Sequence, residues 1–313
     1  MFIYEFIDPE IQLTSKDFNF IEHFIKSTGR TQLGWHYIVD IIWIYSLVKS
    51  WSRNFKILDA GGGHGPIQFL LAEMGFHVIN IDMNLIDLPI QYKYRYKSNI
   101  ETLPSFKPTN YARFLDCEKT NSLDRIKVQL KKIIKTTPMY SNWCCRKYSR
   151  LHNTWRSSVG LSDTPIGIIE WRRGNLCNMP EINSNYFDAV VSLSALEHIP
   201  YSILDTALTE IHRVLKPDAK WAVTTSATEK EKTWWHEPSQ SNCFSINDLE
   251  NIFEAKSYRN QNPDKILKKY NQCEYLKDNI AKFYKKSSKY GMPWGTWRPE
   301  YIPVGLGSQK CPN

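Results

Sequence analysis

The chain has 313 residues and a net charge of +8, and 42% of its residues are hydrophobic, which is ordinary for one large or two small globular domains. Its most apolar run, Ile38–Val48, is about half the length that spans a bilayer and contains Asp40, so it predicts a core helix and excludes a membrane span. The seven cysteines include no CxxC pair, and the first residues lack the basic start of a signal peptide. We therefore expect reduced thiols, no bound metal and a cytoplasmic location.

The positive charge is concentrated in one segment. Residues 91–157 contain 15 Lys and Arg against 4 Asp and Glu, whereas the rest of the chain has 25 basic and 28 acidic residues. A basic segment of this kind favours an anionic partner or a solvated surface.

Helices are predicted for residues 1–54, followed by a strand–helix–strand unit. Phe18, Ile21, Phe24 and Ile25 have helical spacing, and a second helix is predicted for Trp35–Trp51. The runs "FKILDA" and "HVINID" are typical of buried strands, and "PIQFLLAEMG" between them is typical of a helix. Residues 1–54 are therefore interpreted as a helical cap before a domain at residues 55–313.

An insertion at about residues 88–165 follows the second strand. It contains one clear helical pattern near Ser122–Lys135. The tyrosines in "YKYRYK" alternate with cations, which predicts a strand with aromatic rings on one face.

Alternation of strands and helices resumes after the insertion. Strands are predicted at "IGIIEW", "YFDAVVSLS", "AKWAVTTS" and "YIPVGLGSQ", and helices at "ILDTALTEIHRVL" and "FSINDLENIF". The pattern predicts an α/β fold of the Rossmann-like, doubly wound kind, with a mostly parallel sheet, N-terminal helices and the basic insertion after the second strand.

A glycine turn, "LDAGGGHG", lies between the first strand and its helix. Gly61, Gly63 and Gly65 give G-x-G-x-G, and Pro66 stands where a dinucleotide fingerprint requires glycine. Asp59 would repel a pyrophosphate but could contact a cationic ligand by a charge-assisted hydrogen bond. The turn therefore favours S-adenosylmethionine over NAD.

Asp82 ends the second strand, where a carboxylate can accept hydrogen bonds from two ribose hydroxyls. NAD and S-adenosylmethionine share this ribose, so Asp82 indicates an adenosine without choosing between them.

These motifs resemble those of the class I S-adenosylmethionine-dependent methyltransferases. "ILDAGGGHG" is similar to the family's first motif and "NID" to its second. "GNLCNMP…YFDAVVSLSALEHI" and "EIHRVLKPDAKWAVTT" resemble its later blocks, so the resemblance covers residues 55–82 and about 168–255. It implies a seven-stranded sheet with a reversed last hairpin.

The resemblance also implies which residues hold the cofactor, S-adenosylmethionine, and its product, S-adenosylhomocysteine. They are Asp59, Gly61, Gly63, Gly65, Asp82, Met83, Asn175, Leu176 and Ser192. Asn175 replaces an adenine-contacting acid of the family, although its side-chain oxygen can still accept from the adenine amino group. "PDA" at Pro217–Ala219 replaces "PGG" in a structural turn.

Methyl transfer to a hydroxyl usually needs a general base, and the candidates are His198 and His236. Both lie in predicted loops at the carboxyl ends of strands, where ligands bind in this fold. The candidate substrate residues are His36, Tyr37, Trp234, Trp235 and Glu237. For each of these residues the alternative is an ordinary packing role.

The predicted function is O-methylation of a small-molecule or glycan-type acceptor, with or without a phosphate group. The first alternative is N-methylation of an amine or a nucleic acid, and the second is a non-catalytic cofactor-binding subunit that activates a partner. The sequence "SLSALEH" stands where DNA amino-methyltransferases tend to have (D/N)PP(Y/F/W), which counts against methylation of a nucleobase nitrogen. No recognised nucleic-acid-binding module occurs in the insertion.

Overall fold

A computed structural model describes residues 2–29, 33–85, 88–97, 99–107, 138–257, 261–280 and 296–308. The strands in these residues are β1 (Phe2–Phe6), β2 (Lys56–Ala60), β3 (His77–Asp82), β4 (Ile100–Thr102), β5 (Ile168–Arg173), β6 (Phe187–Leu193), β7 (Leu215–Ala227), β8 (Trp234–His236), β9 (Ser241–Cys243), β10 (Ala255–Ser257) and β11 (Ile302–Gly307). Nine of them form one sheet in the order β10-β1-β11-β7-β6-β2-β3-β5-β4, and β8 pairs with β9.

Helices cover both faces of this sheet. They are α1 (Pro9–Thr14), α2 (Asp17–Ser27), α3 (Tyr37–Val48), α4 (Ile67–Glu73), α5 (Ile90–Tyr96), α6 (Pro138–Ser158), α7 (Tyr201–Val214), α8 (Ile246–Ile252), α9 (Pro263–Gln272) and α10 (Glu274–Asp278), with a short 3₁₀ helix at Leu196–His198.

The centre of the sheet is parallel. β2 pairs in parallel with β3 and with β6, and β6 pairs in parallel with β7. β11 then runs antiparallel to β7, as the predicted reversed hairpin requires. The predicted α/β class with a mostly parallel, Rossmann-like sheet is confirmed, but the sheet has nine strands rather than seven.

The start of the chain differs from the prediction. Residues 1–54 were expected to be helical, but Phe2–Phe6 form β1, which lies antiparallel to β11 and parallel to β10. Five residues are too few for hydrophobic periodicity to separate a strand from a helix, so pairing on both edges decides the conformation. The division at residue 54 stays a prediction, although β1 belongs to the same sheet as the later strands.

The apolar run at Ile38–Val48 forms a core helix, as predicted. α3 packs against β6, β7 and β11, and its residues from Ile38 to Ile44 are all buried. In the described ranges, no helix has the length and apolar character needed to cross a membrane.

Within the insertion, the "YKYRYK" stretch is a helix rather than the predicted strand. In α5, Tyr92 and Tyr96 are buried against Phe69, with ring centroids 4.3 and 5.5 Å apart, while Tyr94 is exposed. Tyrosines four residues apart share one helix face, so this contact with α4 overrides the alternating pattern. The predicted helix near Ser122–Lys135 lies outside the described residues.

A buried ionic cluster attaches the insertion to the sheet layer. Glu73 at the end of α4 accepts from Arg95 Nε at 2.5 Å and from Tyr96 Oη at 2.9 Å, and Arg156 of α6 lies 3.3 Å away. Burial raises the pKa of Glu73, but the Arg95 contacts outweigh it and hold that pKa below its usual value. The position of α5 and α6 is thus fixed by a carboxylate shared between two guanidinium groups.

Candidate active site

The glycine turn follows β2 directly and needs glycine at specific positions. Gly61 and Gly63 have φ angles of +72° and +48°, a region that side chains with a Cβ rarely adopt. A Cβ on Gly61 would also lie 2.8 Å from the Cβ of Ala195, so the turn abuts the loop after β6. At Gly65, the backbone N–H donates to the Gly62 carbonyl at 2.7 Å and closes the turn.

Asp82 is fixed at the end of β3 by two backbone donors. Its Oδ2 accepts from the N–H of Gly63 at 3.0 Å, and its Oδ1 accepts from the N–H of Asn84 at 2.6 Å. Burial raises the pKa of Asp82. Each oxygen keeps a further lone pair for a ligand hydroxyl, so the predicted ribose contact fits this geometry. The intervening residue, Met83, accepts from Arg173 Nε through its carbonyl at 3.4 Å.

Asp59 lies beneath the glycine turn rather than on its surface. The carboxylate is fully buried, and its Oδ2 accepts from Asn80 Nδ2 at 2.9 Å. A Cβ on Gly62 would overlap the same oxygen. This differs from the predicted direct contact with a cationic ligand, because the backbone of the turn covers the carboxylate. Burial raises the pKa of Asp59 to about 7.

The buried carboxylate makes the free energy of unfolding depend on pH. An acid whose pKa is raised on folding keeps its proton in the folded state but loses it in the unfolded state, so stability falls as pH rises from the unfolded pKa towards about 7. We expect the cofactor-free wild type to lose roughly 1–4 kcal/mol more than Asp59→Asn between about pH 5 and about pH 8. Urea unfolding at both pH values measures this, with exposed Asp218→Asn as the charge-matched control. Parallel losses in all three proteins would contradict the assignment.

Leu176, Asn175 and Ser192, also predicted to hold the cofactor, differ in which of their groups could contact a ligand. Leu176 lies against the turn, with its Cδ1 3.9 Å from the position of a Cβ on Gly61. The side-chain oxygen of Asn175 accepts from the Cys177 N–H at 3.0 Å, so only its second lone pair is left for an adenine amino group. Ser192 is fully buried and donates to the Ala60 carbonyl at 2.8 Å, which ties β6 to β2 instead of offering a hydroxyl to a ligand.

A buried cluster beside the turn centres on a histidine–aspartate pair. His36 Nδ1 lies 2.8 Å from Asp40 Oδ2, and the pair sits one helical turn apart at the start of α3. The same carboxylate oxygen accepts from Ser194 Oγ at 2.9 Å and from Thr224 Oγ1 at 3.3 Å. Ser194 has a φ of +47° and immediately precedes Ala195, so the pair reaches the loop that abuts Gly61. Asp40 in an apolar run, four residues after His36, was the available sequence signal for this pair.

Glu197 and His198 extend this cluster on the 3₁₀ helix. Glu197 is buried, which raises its pKa to about 7, and His36 and Asp40 are close enough to affect that pKa in opposite directions. His198 donates from Nδ1 to the Gln240 carbonyl at 2.9 Å. Burial lowers the pKa of His198, and His36 lowers it further. The imidazole of His36, before α3, therefore lies within electrostatic reach of that of His198, after β6.

The two ring nitrogens of His236 face different partners. Its Nδ1 lies 2.6 Å from Ser239 Oγ and accepts from the Ser239 N–H at 3.3 Å, which places the proton on Nε2. That nitrogen faces Glu300 Oε2 at 3.3 Å. Burial lowers the pKa of His236. The ring is buried between Ser239 and Glu300, and the base role of His236 stays a prediction.

Of the remaining predicted substrate residues, Trp234 and Trp235 line the same cleft. Trp235 is 43% exposed and donates from Nε1 to Glu237 Oε2 at 2.8 Å. Trp234 is half-buried, with the Lys230 ammonium 4.0 Å from its ring centroid. Tyr37 is half-buried beside His36, at a centroid distance of 5.4 Å. Within the described residues, no group of His, Cys, Asp and Glu side chains is arranged to hold a metal ion.

The solved structures that resemble this chain include methyltransferases. Phosphoethanolamine N-methyltransferase 2 of Haemonchus contortus is 14% identical, with 94% of this chain and 58% of that chain covered and a TM-score of 0.44. The 1,6-didemethyltoxoflavin-N1-methyltransferase of Burkholderia thailandensis is 12% identical, with 87% and 77% covered and a TM-score of 0.41. Both were solved with S-adenosylhomocysteine. A SAM-dependent methyltransferase of Methanosarcina mazei is 15% identical, with 83% and 94% covered and a TM-score of 0.39.

Comparisons with protein families and curated sequences differ in outcome. No curated protein sequence matches the chain. Residues 149–223 match the family model of a methyltransferase domain. This segment runs from α6 into β7 and so contains β6 and the loop after it, while the glycine turn and Asp82 lie before it. Residues 149–223 are therefore similar to a methyltransferase domain, in a chain whose central sheet has the Rossmann-like arrangement.

Proposed function

We propose that the protein methylates a hydroxyl group of a small-molecule or glycan-type acceptor, with His36 as the general base. The observation that carries this proposal is the His36–Asp40 pair. The support is that Asp40, which orients the imidazole, also accepts from Ser194, and the next residue, Ala195, abuts the glycine turn. A hydroxyl is a weak nucleophile and benefits from such a base, whereas a neutral amine does not require one.

The cofactor supplies a methyl group on a sulfonium, which is the electrophile of the reaction. With Nδ1 donating to Asp40, His36 holds its free lone pair on Nε2. Nε2 takes the proton as the acceptor O–H bond breaks, and the oxygen forms its new bond to the methyl carbon while the carbon–sulfur bond breaks. Asp40 keeps the ring orientation and stabilises the imidazolium that forms.

His198 is the second candidate for the base, because it lies on the 3₁₀ helix after β6 and its ring is oriented by the hydrogen bond from Nδ1 to the Gln240 carbonyl. Burial lowers the pKa of His198, and the nearby His36 lowers it as well, which favours the neutral ring of His198. We assign His198 to acceptor contact or proton release and His236 to packing.

The side chains that line a cleft next to the β8–β9 hairpin support a hydroxylated, ring-shaped acceptor. A cleft of about 380 Å³ lies between the start of α7 and the β8–β9 hairpin. It presents the exposed rings of Tyr201 and Trp235 together with Asn247 and Asp248. Aromatic faces combined with amide and carboxylate groups suit a sugar ring, whose C–H face stacks and whose hydroxyls donate and accept.

A methylation screen tests this function. The protein is incubated with S-adenosylmethionine carrying a labelled methyl group and with lysate fractions or defined glycans, and the products are separated and identified by mass and by NMR. The expected product carries one added O-methyl group. A product methylated on nitrogen would overturn the hydroxyl assignment. Cofactor binding by calorimetry without any methylated product would favour the non-catalytic subunit.

A further inference from the structure

A second cleft lies on the insertion and shares no lining residue with the candidate active site. It has a volume of about 580 Å³ and is formed by Tyr94 of α5 and by polar side chains of α6 from Arg146 to Ser157. This size falls within the range of small-molecule sites, roughly 300–1,000 Å³. Arg146 and Arg150 are exposed and stand one helical turn apart, so both guanidinium groups reach the same part of the cleft.

The polar lining consists of groups that donate hydrogen bonds. Asn153 Oδ1 accepts from both Arg95 Nη1 and Nη2 at 3.1 Å, which leaves the Asn153 amide nitrogen for the cleft. Arg146 and Arg150 can only donate, and Ser149 adds a hydroxyl. No carboxylate lines the cleft among the described residues. This composition suits an anion with several acceptor oxygens, above all a phosphate ester.

The helix that carries these groups is held firmly. Arg156 donates to the Leu161 carbonyl at 2.7 Å and lies against Glu73, and the Tyr148 ring packs on Tyr92 at a centroid distance of 5.4 Å. Because the arginines project from a fixed helix face, little backbone ordering is required when an anion binds.

Aromatic rings accompany the cations. Tyr94 lines the cleft with 62% of its surface exposed. Trp143 is 56% exposed and lies three residues before Arg146 on the same helix, with the Lys147 ammonium 4.9 Å from its ring centroid. Cations combined with exposed aromatic rings are the chemistry by which proteins hold single nucleotides, where the phosphate pairs with arginine and the base stacks on a ring.

We propose that this cleft binds a nucleotide unit, with its phosphate on Arg146 and Arg150 and its base on Tyr94. The unit is a free nucleotide or part of a single strand, since the contacts are the same in both. This binding is separate from the methyl acceptor proposed above and does not depend on it.

Fluorescence anisotropy and calorimetry on the full chain test the proposal. The probes are a labelled single-stranded oligonucleotide, a nucleoside monophosphate and inorganic phosphate. The double variant Arg146→Gln/Arg150→Gln is compared with Lys265→Gln/Lys268→Gln, which removes the same charge from exposed positions of α9. Tyr94→Ala tests the stacking, and S-adenosylhomocysteine binding confirms that each variant is folded.

We expect the cleft double variant to weaken nucleotide binding by about tenfold or more, because each lost charge-assisted hydrogen bond contributes about that much, and the α9 variant to bind as the wild type does. If the source is a single strand, the slope of log affinity against log salt should fall by about 0.7, since the two arginines contact one phosphate and each neutralised phosphate contributes about 0.7. Binding of the monophosphate without a gain from the oligonucleotide identifies a free nucleotide.

Four results would overturn the proposal. The first is that neither the oligonucleotide nor the monophosphate binds. The second is an equal loss of binding in the α6 and α9 variants, which would indicate that net charge alone causes binding. The third is that inorganic phosphate binds as tightly as the monophosphate. The fourth is an unchanged affinity in Tyr94→Ala. Either of the last two would show that the site does not hold the base.

Discussion

Asp82→Ala is expected to weaken binding of S-adenosylhomocysteine by about 10²–10⁴-fold, because a carboxylate that accepts from two ribose hydroxyls contributes roughly 1.5–3 kcal/mol for each bond. The same change leaves the N–H groups of Gly63 and Asn84 without their acceptor, so the turn also loses the contact that sets its distance from β3. Calorimetric titration measures the affinity directly and does not require a known acceptor.

Asp218→Ala is the matched control for Asp82→Ala, since it removes an exposed carboxylate after α7. Asp82→Asn is expected to give an intermediate loss, because the amide keeps one acceptor oxygen but has no charge. Equal affinity of Asp82→Ala and wild type would show that the ribose is held elsewhere. If Asp82→Ala also lowers the thermal stability, the titration is run below the unfolding temperature of the variant, so that the measured affinity is that of folded protein.

The glycine turn and the strand end at Asp82 were predictable because their signals are local in sequence. The spacing of Gly61, Gly63 and Gly65 fixes a tight turn, and Asp82 follows from where a buried strand ends. Both features depend on residues within one strand–turn–helix unit, so no knowledge of distant contacts is needed. Even there, the buried position of Asp59 was not predicted. The backbone at Gly62 lies over the Asp59 carboxylate only once the turn has folded.

The sequence-based prediction was wrong at β1 and α5, where distant contacts decide the conformation. β1 is a strand because β11 and β10 flank it, and both lie more than two hundred residues away in the chain. α5 is a helix because Tyr92 and Tyr96 pack on Phe69, although the alternating pattern favoured a strand. In each case the local pattern was compatible with two conformations, and tertiary packing selected one.

The acceptor side shows the same limitation at the level of single side chains. The sequence predicted His198 and His236 in loops after strands. The structure has His198 on the 3₁₀ helix after β6 and His236 at the end of β8. Only the contacts separate them from His36, since the Nδ1 of His236 accepts from the Ser239 N–H while the Nδ1 of His36 pairs with the Asp40 carboxylate. A base is defined by which ring nitrogen stays available, and this cannot be deduced from spacing along the chain.

His36→Ala is expected to lower kcat by about 10²–10⁴-fold, the usual contribution of a positioned general base, with S-adenosylhomocysteine affinity close to that of the wild type. Asp40→Asn should lower kcat as well, because an amide can donate to Nδ1 and so favour the tautomer with its proton on Nε2. Turnover is measured with the acceptor found in the methylation screen. Added imidazole should restore part of the rate in His36→Ala, since the small molecule can occupy the vacated volume.

His23→Ala is the control for His36→Ala, because His23 is exposed on α2 and has no role in the proposed reaction. His198→Ala distinguishes the role of the His198 imidazole from that of His36. If His198→Ala lost the larger share of kcat and responded to imidazole while His36→Ala did not, the base would be His198 and the His36–Asp40 pair would act by positioning the loop after β6. Full rates in both variants would exclude a histidine base and favour an acceptor that is nucleophilic without one, such as a neutral amine.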